Sequence, residues 1–200
     1  MSVDTFPKYV NRSFTTSASI RDTSIVIETT RHVQWEDMRD LFAVVLEARL
    51  QVGEIDGVER LGLRYINEVR VPESDGQDWT NWISSSLLGQ AEVGRKLELE
   101  PLQWQGVTVF GRGAARFITL RHGPRDGYAV DSGGDLKRPT PTPGPYFLID
   151  IDSFWASEGT VPELDLERVL RMADDLHEPA GSLFESLITP RLRKEVTQQT

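Results

Sequence analysis

The alternation of apolar and polar residues predicts a β-hairpin followed by a helix near the start of the chain. Two β-rich runs, residues 13–20 and 24–30, are separated by residues 21–23, a length that suits a short hairpin connection. From Trp35 onward, apolar residues recur at three- and four-residue spacing until Gly53. This spacing predicts a long helix that ends at the glycine.

Residues 61–71 form the clearest predicted strand. One face of this strand is apolar apart from Asn67, and the opposite face is charged. The apolar face carries Leu61, Leu63, Tyr65, Val69 and Val71, and the charged face carries Arg60, Arg64, Glu68 and Arg70. Such a division is typical of a half-buried strand in an antiparallel sheet.

The rest of the chain adds a short helix, a second hairpin, a further strand and a final helix. A glycine- and proline-rich stretch lies between the hairpin and the further strand, and it includes one short predicted strand. In chain order these elements are a short helix capped by Asp78 and anchored by Trp79 and Trp82, a hairpin of residues 101–110 and 115–122, a loop at 123–145 with a strand at 128–131, a strand at 146–155, and a helix that begins at Asp165 and is kinked or split at Pro179.

Together these elements predict an α+β fold, in which a mainly antiparallel sheet carries two long helices packed on one face. The order strand, helix, antiparallel strands and long helix fills residues 61–188, and residues 13–52 match only its second half. We therefore predict a partial first unit, residues 1–57, and a complete second unit, residues 58–200, within one compact domain, as a partial internal duplication would produce. The strand at 13–20 would then be an unpaired edge that a second chain covers.

Composition and charge exclude several classes of protein. The chain has 22 basic and 31 acidic residues, a net charge of −9, and this field repels phosphate backbones, so nucleic acid is not an expected partner. It contains no cysteine, which excludes disulfides and thiol catalysis. Its longest apolar run, residues 41–46, is far shorter than the ~20 residues of a membrane span, so we expect a cytoplasmic protein without a membrane partner.

Asp150 and Asp152 are the strongest candidates for a catalytic or metal site. They lie two residues apart on a predicted strand, so both carboxylates point to the same side at a spacing of about 7 Å. With Asp131 or Asp135 as a third ligand they would hold a divalent cation, and His122 would assist a metal-dependent hydrolysis. The interpretation we favour is that the two aspartates face solvent or pair with arginines such as Arg64.

Asn67 interrupts the apolar face of its strand, and a buried amide needs hydrogen-bond partners. It either ties the strand to a neighbouring loop, which we favour, or lines a ligand pocket together with Tyr65 and a tryptophan. The glycines at 111 and 113 resemble part of a dinucleotide fingerprint, but they connect two strands rather than a strand and a helix. No cofactor is predicted.

Four sequence blocks resemble a known family. They are the strand Leu63-Arg64-Tyr65-Ile66-Asn67 after a long helix, and the later blocks LQWQG, GPRDGYAVD and LIDIDSFW. Over residues 6–195 the chain is similar to a sporadically distributed, conserved family of uncharacterised bacterial proteins that is well represented in actinobacteria. The resemblance implies the α+β class and a bacterial cytoplasmic origin. Members usually carry a further stretch ahead of the position of Phe6, which agrees with a truncated first unit.

The resemblance carries no activity, so the functional prediction depends on the residues. We predict a non-catalytic interaction or binding module that associates with itself as a homodimer through a sheet edge, or binds a protein partner through that edge or the acidic final helix. A metal-dependent hydrolase built on Asp150 and Asp152, and a small-ligand binding protein, are the alternatives.

Overall fold

A computed structural model shows that the chain is an α+β protein with two antiparallel sheets, which confirms the predicted class. The chain forms two compact units, and the last long helix contributes residues to both. Unit 1 comprises Met1–Val58, Val130–Thr142 and Val161–Met172, and unit 2 comprises Glu59–Ala129, Pro143–Thr160 and Ala173–Thr200. The structure describes residues 7–31, 34–53, 55–72, 78–99, 101, 103–113, 115–130, 134–138 and 142–198.

Unit 1 contains a three-stranded antiparallel sheet and a long helix. The sheet order is β1 (Lys8–Val10), β2 (Thr16–Ile20) and β3 (Ile25–Thr29), and the helix is α1 (Trp35–Val52). The predicted hairpin and first long helix are therefore confirmed. The backbone N–H of Arg21 donates to the carbonyl of Ser24 over 2.8 Å and closes the hairpin turn.

The predicted unpaired edge at residues 13–20 is wrong. β2 is the central strand of its sheet, because Tyr9 pairs with Ala18 on the side opposite β3. The covering strand belongs to the same chain. β1 has only three residues, which is too short for an alternating pattern to reveal it.

Unit 2 contains a four-stranded antiparallel sheet with the order β4-β7-β6-β5. Helices α2 (Gly89–Lys96), α3 (Leu166–Leu187) and α4 (Pro190–Gln198) accompany this sheet, with α3 beginning in unit 1. The strands are β4 (Arg60–Val69), β5 (Gly106–Gly111), β6 (Arg116–Arg125) and β7 (Tyr146–Ala156). β7 pairs along its length with β4 on one side and β6 on the other.

Three local expectations differ from the structure. The predicted short helix after Asp78 is a pair of 3₁₀ turns, although the Asp78 carboxylate caps the first turn by accepting from the Thr80 N–H over 3.0 Å. Residues 128–130 form no strand. Helix α3 continues through Pro179, because the proline removes one backbone hydrogen bond while the helix keeps its other bonds and its buried face.

The core of unit 2 lies on one face of the four-stranded sheet. Ser153 Oγ donates to the Leu176 carbonyl over 2.8 Å, and this bond fixes β7 against α3. Aromatic and aliphatic side chains fill the space between sheet and helices. The buried residues are Val69, Ile118, Leu120, Phe147, Ile149 and Ile151 from the strands, Leu176, Ala180, Leu187 and Leu192 from the helices, and Trp79, Trp82, Ile83, Leu87 and Leu88 from the connecting segment.

Among the described residues, no helix combines the length and the hydropathy needed to cross a bilayer.

The substitution Leu176→Ala is expected to lower the free energy of unfolding by about 2–5 kcal/mol, because it leaves a cavity in the core of unit 2. Leu97→Ala is the matched control, since Leu97 is exposed and its truncation should change stability by no more than about 0.5 kcal/mol. Urea unfolding measures both. Equal losses in the two variants would contradict the assignment of this core.

Candidate functional site

Asp150 and Asp152 lie side by side on the sheet face that is opposite the core of unit 2. Each carboxylate is paired with arginine side chains. Arg64 forms a bidentate pair with Asp150, with Nε–Oδ1 and Nη2–Oδ2 distances of 2.9 and 2.8 Å. Arg121 Nη1 lies 3.6 Å from Asp150 Oδ2, and Arg60 Nη2 lies 3.5 Å from Asp152 Oδ2. We call these five residues the arginine–aspartate cluster.

Burial makes the two carboxylates unequal. Asp150 is only 3% exposed, and a buried carboxylate requires compensating charge and hydrogen bonds. The hydrogen bond to Asp150 raises the pKa of the Arg64 guanidinium, and partial burial opposes this rise. The carboxylate oxygens of Asp150 are therefore occupied by guanidinium groups, as the favoured interpretation of the sequence expected.

A metal site receives little support from this arrangement. Among the described residues, no three histidine, aspartate or glutamate side chains are grouped as a metal ion requires. Of the two predicted third ligands, Asp131 lies outside the described residues, and Asp135 accepts a hydrogen bond from Lys8 Nζ over 2.9 Å. The guanidinium groups bonded to Asp150 would have to be displaced before a cation could bind there.

His122 lies on the opposite face of the sheet from the two aspartates. Register places His122 against Ile149 and Arg121 against Asp150, and side chains alternate between faces along a strand. The imidazole ring contacts Trp104 edge-on and stacks with Phe147, with centroid distances of 6.0 and 6.5 Å. The structure thus does not bring His122 together with the aspartates.

The environment of His122 disfavours its charged form. Burial lowers the pKa of the imidazole, and Nδ1 has no hydrogen-bond partner among the described residues. Gly106 lies directly opposite on β5, and a Cβ there would collide with the ring. His122 is therefore a core residue that only a glycine neighbour accommodates.

Tyr65 and Asn67 form hydrogen bonds within unit 2. Tyr65 Oη lies 2.9 Å from His177 Nδ1 and links β4 to α3, and burial raises the pKa of the Tyr65 phenol to about 12. Asn67 Nδ2 donates to the Ile149 carbonyl of the neighbouring strand over 3.1 Å. Their predicted role in ligand binding stays a prediction, and neither residue lines the groove of about 750 Å³ that lies in unit 1.

A second ion pair orders the loop after β6. Arg70 Nε donates to Glu68 Oε1 over 2.6 Å, and Arg70 Nη2 donates to the Gly127 carbonyl over 2.6 Å. Glu68 Oε2 accepts from the Ala129 N–H over 2.8 Å. Glu68 and Arg70 both lie on the charged face predicted for β4. The loop that they bind follows β6 in the chain, so sequence spacing could not reveal this contact between β4 and the loop.

The edge strand β5 is the main feature that the sequence pattern missed. Val107 and Val109 are 64% and 62% exposed, and Phe110 on the opposite side is also exposed. The strand contains no charged residue and no proline, the features that usually protect a sheet edge. The unbroken Val-Thr-Val-Phe run was a signal of high β-propensity, but it did not show that the strand is at an edge.

Comparisons with protein-family models, with curated proteins and with solved structures gave no significant match. The functional argument therefore depends on the geometry of the residues described above.

The substitution Arg64→Met is expected to lower the free energy of unfolding by about 1–3 kcal/mol, because it removes the bidentate partner of a buried carboxylate. The loss should be smaller than for a fully buried pair, since the Arg64 side chain is half exposed and Arg121 remains. Arg60→Met removes the more exposed pair with Asp152 and should lower the free energy of unfolding by at most about 1 kcal/mol. Urea unfolding of both variants checks this order, and the reverse order would contradict it.

Protonation of His122 is expected to destabilise the folded protein. Because burial lowers its pKa below the unfolded value of about 6.5, the unfolded chain binds the proton more readily. The stability that depends on neutral His122 is therefore fully present above pH ~6.5, and it is lost as the pH decreases through the lower pKa of the folded state. Urea unfolding of wild type and His122→Leu should show a smaller loss on mild acidification in the variant. If the free energy of unfolding falls equally with pH in the two proteins, burial of neutral His122 is not the cause.

Proposed function

We propose that this protein is a non-catalytic interaction module that forms a homodimer by pairing the β5 strands of two copies. The single observation that carries the proposal is the exposed, uncharged edge strand Gly106–Gly111. An edge of this kind offers unpaired backbone groups together with apolar side chains, and both favour the addition of another strand.

The backbone of β5 supports pairing about a two-fold axis. The N–H of Arg112 donates to the Arg116 carbonyl of the β6 side, so Arg112 is a hydrogen-bonded position of the ladder. Because such positions alternate along an antiparallel strand, the backbone N–H and C=O groups of Val107, Val109 and Gly111 point away from β6. An antiparallel copy centred on Val109 would set Val109 against itself and Val107 against Gly111 of the second copy. All outward groups would then have partners.

The side chains of β5 are compatible with the same register. Thr108 would lie opposite Phe110 of the second copy, and such β-branched and aromatic pairs stabilise sheets. Arg112 would lie opposite Gly106 rather than another charge. The strand itself is neutral, so the net charge of −9 on each chain is not concentrated at the proposed contact.

The arginine–aspartate cluster supports a non-catalytic interpretation. A general acid, base or metal ligand needs a free oxygen near the substrate, whereas both oxygens of Asp150 contact guanidinium groups. Asp152 contacts Arg60 through one oxygen, at 3.5 Å. His122, which the sequence analysis considered as the assisting residue, lies on the other sheet face. We therefore do not propose that the protein is a hydrolase.

Cellular location and origin are part of the proposal. We propose a cytoplasmic protein of bacterial origin, and the support is the resemblance of the Leu63–Asn67 strand and the later blocks to an actinobacterial family. A protein partner that adds a strand to β5 in place of a second copy is the alternative within the same class of function.

Sedimentation equilibrium tests the dimer. The wild type should approach twice the chain mass of 22.6 kDa as concentration rises, and Val109→Lys should remain a monomer, because it sets like charges opposite each other. Val93→Lys is the matched control, since Val93 is 57% exposed on α2, and it should dimerise like the wild type. A wild type that stays monomeric at every concentration would contradict the proposal.

A cross-linking experiment tests the register independently. The chain has no cysteine, so Val109→Cys introduces a unique thiol next to the two-fold axis, where the two Cα atoms would lie about 5.5 Å apart. Mild oxidation should yield a covalent dimer. Val93→Cys should yield little of it, and equal cross-linking of the two variants would exclude this register.

A further inference from the structure

Unit 1 contains an open groove between α1 and the first two strands. Its volume is about 750 Å³, which lies within the range of about 300–1,000 Å³ for small-molecule sites. One wall is a stripe along α1 at helical spacing, and the other wall is the facing side of β1 and β2. The apolar helix wall consists of Leu41, Val44, Val45, Ala48 and Val52.

The described residues cover the helix wall only in part, since Leu41 and Val45 are half-buried while Val44, Ala48 and Val52 are exposed. Of the α1 side chains, Leu46 alone is buried, and Val52 is 85% exposed. An apolar stripe of this width normally packs into a core. On the strand side, Tyr9 is also largely exposed. Contiguous exposed apolar surface in a folded protein marks a place where another molecule binds.

The charged groups that line the groove favour an anion. Arg21 and Arg49 line it together with one carboxylate, Asp22, so the lining has an excess of positive charge in a protein whose net charge is −9. Arg49 Nη1 donates to the Gly53 carbonyl over 3.3 Å, which holds its guanidinium near the end of α1. A guanidinium bonded at one nitrogen keeps further N–H donors for an anionic oxygen.

We infer that this groove binds a single-chain amphiphile with an anionic headgroup, such as a fatty-acid carboxylate or an alkyl phosphate. The headgroup would contact Arg21 and Arg49, and the alkyl chain would lie along the α1 stripe.

Calorimetric titration of the full chain with dodecanoate, below its micelle concentration, tests the inference. We expect saturable binding of one molecule per chain, about tenfold tighter than binding of dodecanol, because only the carboxylate gains charge-assisted hydrogen bonds. Dodecyltrimethylammonium should bind no better than dodecanol. Dodecyl phosphate, compared with dodecanoate, distinguishes a phosphate headgroup from a carboxylate.

Two variants assign the binding to this groove. Arg49→Glu should abolish the preference for dodecanoate over dodecanol, and Ala48→Trp should weaken both about tenfold or more by filling the groove. Arg95→Glu, in the last turn of α2, is the matched control and should bind like the wild type. Circular dichroism confirms folding, and Val44→Ser replaces Ala48→Trp if the larger side chain prevents folding.

Binding of dodecanoate in the groove is expected to be independent of dimerisation through β5. Val109→Lys should bind dodecanoate as the wild type does, because Val109 belongs to unit 2 and the groove to unit 1. No saturable binding of dodecanoate would overturn the inference, and so would binding that Arg49→Glu and Ala48→Trp both leave unchanged. Either result would leave the β5 dimer untouched.

Discussion

The pairing of β7 with β4 on one side and with β6 on the other is the constraint on which unit 2 depends. Residues 147–155 of β7 pair with both neighbouring strands, and each end residue pairs with one of them, so every side chain has an assigned face. Phe147, Ile149 and Ile151 turn to the core and are fully buried. The alternate residues, Asp150 and Asp152, must then turn to the other face, where arginines from both neighbouring strands reach them.

This two-sided arrangement explains why the polar residues of unit 2 do not converge into a reactive centre. His122 and the aspartates lie on adjacent strands, yet the pleat separates them by the thickness of the sheet. The aspartates meet guanidinium groups, and His122 meets aromatic rings. Tyr65 and Asn67 are likewise engaged with α3 and β7. The polar groups stabilise the fold, and the accessible features that remain are an edge strand and a groove.

The two units share an order of elements while differing in how completely their surfaces are covered. Each has three consecutive antiparallel strands followed by a long helix. The order is β1-β2-β3-α1 in unit 1 and β5-β6-β7-α3 in unit 2, to which α3 contributes its residues from Ala173 onward. In unit 2, β4 covers the outer edge of β7, and the segment with Trp79 and Trp82 fills the core. Among the described residues of unit 1, no strand covers β3 and the α1 stripe is open. The internal duplication itself stays a prediction.

The sequence by itself determined those features that depend on neighbours along the chain. The alternation in β4 and β7, the three- to four-residue spacing in α1, and the start of the last helix at Asp165 were all readable because periodicity is a local property. The structure adds that the Asp165 carboxylate accepts from the Arg168 N–H at this start. Tertiary structure alone decided that β1 pairs with β2, that β5 ends the sheet, and that Arg64 binds Asp150 rather than Asp152. Strand order depends on which faces can be buried together, and residues far apart in the chain determine that choice.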